Sequence, residues 1–223
     1  MKELSIIIPT IRPPNLINLC IESILNTTKD INYEIIVISP IDLSVPKNVR
    51  LLKDEGRSKH VAIQLGIEQS KGEYVLTVAD YHNCEPDSIN NLMKVMRKHE
   101  DELFIASPRF KDLDGSIRLT NYLYQVYYAS CPCIKKSYIK QIGGFIDTCY
   151  LDYFGDIDLS YRVLEQNGKV EIIKDSFLLI RNDLKEAATL EKQKNGELDK
   201  EIFEKKWFRG NRVSSNLYTV KDL

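Results

Sequence analysis

The stretch "LTVADYHNCEPDSI", residues 76–89, sets a carboxylate beside an imidazole. An apolar run ends at Ala79, and Asp80, Tyr81 and His82 follow. A strand that ends in an acid at the edge of a sheet is a common seat for a metal or a nucleotide. One acid is few for that work, and His82 also reads as a polar loop residue. A second acidic group opens "GDIDLSYR". There Asp156 stands where an acid caps a helix, and Asp158 is spaced to pair with Arg162 one turn on. Cys131 and Cys133 bracket a proline, but a metal site needs about four ligands. With no second cysteine pair, these two read as small apolar residues in a strand.

These groups need elements to position them. Ser5 to Ile8, Glu34 to Ser39, Val49 to Leu52 and Tyr74 to Ala79 are short apolar runs that predict buried strands. Between them, Leu16–Leu25 and Lys59–Gln69 carry helical spacing, and Pro86 sits where the first turn of a helix over Asp87–Lys98 accepts proline. Alternating strand and helix predicts a parallel sheet covered on both faces. Such folds bind ligands at the carboxyl ends of their strands. The residues after Ile8, Ile38 and Val78 then share one rim. Further on, Leu103–Ser107, Ala129–Ile134 and Val170–Ile173 read as strands. Lys136–Ile142 and Asp156–Gln166 read as helices, and Leu184–Lys206 as a charged, solvated helix with a narrow apolar stripe.

The 31 basic and 32 acidic residues leave a formal net charge of -1, which argues against a nucleic-acid binder. No run reaches the ~20 apolar residues that span a bilayer, and the first apolar run is too short for a signal peptide. Five cysteines without a secretory signal suggest reduced thiols and an intracellular, cytoplasmic setting.

Four stretches together resemble family 2 glycosyltransferases: "SIIIPTIRPPNLINLCIESIL", "EIIVIS", "KHVAIQLGIEQSKGEYVLTVAD" and "IKKSYIKQIGGFIDTCYLDYFGDIDLSYRVLEQNGKV". They run in the family's order from Ser5 to Val170. The resemblance implies a GT-A fold, an α/β mixed sheet flanked by helices, over 1–183. Residues 184–223 would form a C-terminal helical extension packed on the same domain. It implies transfer of a sugar from a nucleotide-sugar to an acceptor hydroxyl, inverting the anomeric centre, in glycan or polysaccharide synthesis. The donor would be a UDP-sugar ahead of a GDP- or dTDP-sugar, and the acceptor a glycan or a lipid-linked sugar.

By the same resemblance Asp156 is the catalytic base, the second acid of a pair whose first position holds Gly155. A helix dipole would help keep it ionised. Pro9, Thr10 and Ile11 match positions that approach the nucleoside, and Gln64 stands where the family has Asn or Asp. Lys59 reaches a phosphate or stays an exposed helix lysine. The position after the second strand holds Ser39 in place of an acid.

The family's Asp-any-Asp metal motif should fall at 79 and 81, where this chain has Ala79 and Tyr81. Its late histidine position matches Arg181. Three readings follow. A register slip makes Asp80 and His82 a metal pair resembling that of polypeptide GalNAc-transferases, with Mn or Mg as the divalent ion. Alternatively no metal binds, and Arg181, with Lys59 or another basic residue, neutralises the diphosphate directly. In the third, the chain is a catalytically degenerate partner that binds sugar-nucleotide or glycan. The tyrosines of "NYLYQVYY" offer an acceptor platform or a partly buried core. Trp207 reads as an anchor for the last helix, and "KKWFRGNR" as a peripheral membrane contact. A nucleotidyltransferase fits less well, because "PTIRPPN" holds no glycine.

Overall fold

The structure, a computed structural model, describes residues 2–118, 122–124, 126–181 and 190–208. The chain opens with β1 (Lys2–Pro9), α1 (Pro14–Thr27), β2 (Tyr33–Ser39), β3 (Val49–Lys53), α2 (Lys59–Glu68) and β4 (Gly72–Thr77). After β5 (His82–Cys84) come α3 (Ser88–Lys98), β6 (Phe104–Lys111), β7 (Ile117–Arg118) and a small hairpin, β8 (Tyr122–Leu123) with β9 (Val126–Tyr127). The chain continues with β10 (Cys133–Lys135), α4 (Lys136–Ile139), α5 (Gly155–Glu165), β11 (Lys169–Ile180) and α6 (Leu190–Trp207). The main sheet has the order β3-β2-β1-β4-β10-β6-β11-β5, with β7 added to β6. The first four strands are parallel, β10 runs antiparallel to both its neighbours, and β11 runs parallel to β6. The sheet is mixed, as expected.

The period-two alternation of strand side chains splits the core between two faces. Leu4, Ile6 and Ile8 face α1 and α3, while Ile7, Ile36 and Ile38 face α2 and α5. Helix α3 shows why such sequences become surface helices. Ile89, Leu92, Met93 and Met96 form one buried stripe, and burying each stabilises by roughly 1.5–3 kcal/mol. Arg97 and Lys98 in the last turn suit the helix dipole.

Two expectations shift. The strand over Ala129–Ile134 shrinks to β10, because Pro132 carries no N–H and Cys131 adopts φ 58°. The last helix is better anchored than its charge suggests. Phe203 and Trp207 are buried against Tyr150, Ile157 and Tyr161. The proposed boundary at 183/184 lies outside the described residues, as does all of "RGNR". Trp207 is 2% exposed and so is not presented to a bilayer. Among the described residues no helix is long and apolar enough to cross a membrane.

Candidate active site

The carboxyl ends of β1, β2 and β4 lie side by side, since these strands pair in parallel. Helices α1 and α2 begin above this rim. Helix α5 precedes the parallel strand β11, so its first turn returns to the same end of the sheet. Sequence positions 9–12, 59, 80 and 156 are thereby gathered.

After β4 the chain turns sharply, with the His82 N–H donating to the Ala79 carbonyl at 3.0 Å. The turn points Asp80 toward β1. Its Oδ2 accepts from the Thr10 hydroxyl at 2.6 Å and its Oδ1 from Arg12 Nε at 3.1 Å. Thr10 Oγ1 in turn accepts from the Arg12 N–H at 2.9 Å. Thr10, Arg12 and Asp80 are all buried. Pro9 is half-buried, and Ile11 stands 62% exposed at the lip. The main-chain N–H of Arg181 donates to the Tyr81 carbonyl at 3.0 Å, which sets Arg181 beside this turn.

His82 turns elsewhere. It starts strand β5, opposite Ile180 of β11, and is only 4% exposed. Its ring packs on Tyr81 and Phe110, and Nδ1 faces the Cys131 sulfur at 3.6 Å. It is therefore a strand residue, not the polar loop residue that one reading expected. Asp80 and His82 direct their polar atoms at different partners. Among the described residues no cluster of three His, Cys, Asp or Glu could hold a metal ion. Among the described residues, Asp80 and His82 therefore do not converge as the pair that the sequence reading allowed for a divalent ion.

Asp156 occupies the first turn of α5, in a half-buried position. Its carboxyl accepts no hydrogen bond from any described residue. Burial pushes its pKa above the ordinary carboxylate value, while Lys59 pulls it back. The expected dipole effect is thus outweighed by desolvation. Asp156 is near enough to raise the pKa of Tyr81, Tyr128 and Cys131. Phe154, just before it, is held at φ 60°, an uncommon conformation for a bulky residue. Lys59 is exposed at the first position of α2, whose Ser58 hydroxyl caps the helix by accepting from the Val61 N–H at 3.2 Å. Gln64 donates to Glu68 along the same helix, 2.9 Å away.

The glycine at 155 has a physical cause that sequence reading missed. A Cβ there would lie 2.7 Å from His60 Nε2. His60 is fully buried, and its Nδ1 donates to the Tyr150 carbonyl at 2.9 Å. Burial lowers its pKa to about 4, so the ring is neutral near pH 7. The imidazole fills the space a side chain at 155 would need. Gly155→Asp should therefore destabilise the fold by about 1–3 kcal/mol through overpacking. Adding His60→Ala should recover part of that loss. Thermal melts check this, and an unshifted melt for the single variant would show that the ring does not block the position.

Two further groups hold the start of α5 in place. Asp199 of α6 accepts from the main-chain N–H groups of Leu151, Asp152 and Tyr153 at 2.8, 2.9 and 2.8 Å. This fixes the loop leading into α5. Asp158 is fully buried and pairs with Arg162 at 2.8 Å, as its spacing suggested. It also accepts from Trp207 Nε1, Lys206 and Tyr150 at 2.9, 2.7 and 3.1 Å. The tyrosine stretch divides. Tyr122 and Tyr127 are exposed with rings 4.9 Å apart, Tyr124 donates to Glu204 at 2.8 Å, and Tyr128 is half-buried near Asp156. A cavity of about 330 Å³, lined in part by Arg162, Lys206 and Trp207, lies toward the other end of α5.

The chain superposes on solved structures with this arrangement of sheet and rim. It matches GalNAc-T7, solved with UDP, GalNAc and Mn2+, at TM-score 0.63 and 13% identity, over 80% of this chain and 43% of that one. It matches S. aureus TarS at TM-score 0.62 and 10% identity, over 80% of this chain and 36% of that one. This chain has a GT-A-like glycosyltransferase fold. Against TarS 1–349 the GT-A-like likeness extends over 98% of this chain and 75% of that one, at TM-score 0.62 and 12% identity. It spans 36% of the first TarS chain and 43% of the GalNAc-T7 chain, less than half of each. No protein-family model and no curated sequence matches it.

Proposed function

We propose that the protein is an inverting glycosyltransferase that moves a sugar from a nucleotide-sugar to an acceptor hydroxyl. The observation that carries this reading is Asp156. It is a carboxyl without a hydrogen-bond donor among the described residues, raised in pKa by burial, and set over the carboxyl ends of the strands. A general base works best with a pKa near the operating pH. In the step, Asp156 takes the acceptor's hydroxyl proton. The freed oxygen attacks the anomeric carbon from the face opposite the diphosphate. The bond from that carbon to the diphosphate oxygen breaks, and its electron pair leaves with the nucleotide.

Pro9, Thr10 and Ile11 form the lip for the nucleoside, with Gln64 on α2 as a further contact. Lys59 and Arg181 bring positive charge toward the diphosphate. Tyr122 and Tyr127 present aromatic faces for a glycan or lipid-linked acceptor. We favour a UDP-sugar because GalNAc-T7, a structural neighbour, was solved with UDP. A role in polysaccharide synthesis in the cytoplasm, at or near a membrane surface, agrees with this chemistry.

A second reading has its own support. Asp80 spends both oxygens on Thr10 and Arg12, as it would in a domain that only binds. Incubation of the pure protein with UDP-, GDP- and dTDP-sugars separates the two. The first reading expects nucleotide release by hydrolysis or transfer from one of them. Nucleotide binding without release from any would transfer the assignment to a binding partner.

A further inference from the structure

We infer that Arg12 supplies the cation that faces the donor's diphosphate, so that this site needs no divalent metal. The inference rests on the donor reading above. Arg12 lies just past β1, and Asp80 just past the adjacent strand β4, so the pair sits between two parallel strands at the carboxyl end. That position is where an open α/β sheet takes its ligand.

The chemistry of the pair is specific. A metal ligand must turn a lone pair toward the ion. Asp80 instead accepts the Thr10 hydroxyl on one oxygen and the Arg12 guanidinium on the other, at 2.6 and 3.1 Å. To bind a metal it would have to release the guanidinium and leave that charge buried, which is costly. Arg12 is 9% exposed and its guanidinium carbon lies 5.8 Å from the Tyr81 ring centroid. Tyr81 in turn feels the charge of Asp156.

Asp80 thus serves as a positioning residue. It sets the plane of a guanidinium, the one side chain whose fork matches phosphate oxygens in pairs. The pair itself is neutral, and Lys59 and Arg181 provide the net positive charge. Helix α1 begins at Pro14, two residues after this arginine, and has no acidic residue in its first turn to oppose an anion.

Calorimetry on the full chain with UDP as the probe tests this, in EDTA and in Mn2+. We expect the same affinity in both. Arg12→Gln should weaken UDP about ten- to a hundredfold, the loss of one charge-assisted contact. Uridine, which has no phosphate, should bind the variant and the parent alike. Because Arg12→Gln leaves Asp80 buried without its cation, the double variant Arg12→Gln, Asp80→Asn serves as a folding control. It should melt closer to the parent and bind UDP as weakly as the single variant. UDP binding that requires Mn2+ would overturn this inference alone, as would parental UDP affinity in Arg12→Gln. UDP binding in neither condition would overturn the donor reading and this inference together.

Discussion

Asp156→Asn should lower sugar transfer about 100- to 10,000-fold, the usual contribution of a positioned general base. The fold should survive, because the carboxyl accepts no hydrogen bond from any described residue and Asn is nearly isosteric. Donor binding should change little, since the base meets the acceptor rather than the nucleotide. The pH profile carries a second signature. The base acts only when ionised, so the rate falls as pH drops through its pKa. Burial lifts that pKa above the ordinary carboxylate value, so the acid limb should lie above the usual range of about 4. Lys59 pulls the pKa down, so Lys59→Ala should move the limb to still higher pH. Full activity in Asp156→Asn would remove Asp156 from the mechanism.

Asp158→Ala, two residues away, should act on stability. Asp158 is fully buried and joins Arg162, Lys206, Trp207 and Tyr150. Breaking a buried ion pair by removing one partner costs about 3–5 kcal/mol, because the other charge stays buried. Arg162 keeps three carbonyl partners, Ile142, Gly144 and Phe145, and Lys206 keeps Asp147 at 3.1 Å. These place the loss toward the lower end. In a chain of this length the melting temperature should fall by roughly 10 °C. Asp158→Asn, which retains an acceptor for Trp207, should lose less. A fall of under about 1 °C for the alanine variant would mean that the network adds nothing to stability.

The central strands were legible because buried parallel strands read as unbroken apolar runs. Helix α5 was legible from its spacing, and so was the Asp158–Arg162 pair, which is a local contact. What escaped the sequence depends on distant partners. Asp80 meets Arg12 across 68 positions, and no local pattern marks that pairing. His60 fills the space at Gly155 across an even longer separation, so the missing acid looked like loss rather than packing. Strand β5 is "HNC", three residues with weak strand preference. It is a strand because β11 offers a free ladder beside it. Asp199 read as one more charge on a solvated helix. Its role appears only when the loop Leu151–Tyr153 is brought against it. The rim could be foreseen from topology, but the partners of each rim residue could not.

The sheet also decides how this protein can meet copies of itself. Among the described strands, the path of the main sheet ends at β3 and β5, with the two-residue β7 paired to β6 off that path. β3 carries Arg50 and Lys53, which pair with Glu34 and Asp42, and β5 is three residues long. Charged or very short border strands make poor templates for a neighbouring chain's backbone. Runaway strand-to-strand stacking, the route to insoluble fibres, is therefore disfavoured at both borders. An orderly assembly would then favour the helices and loops over these two borders.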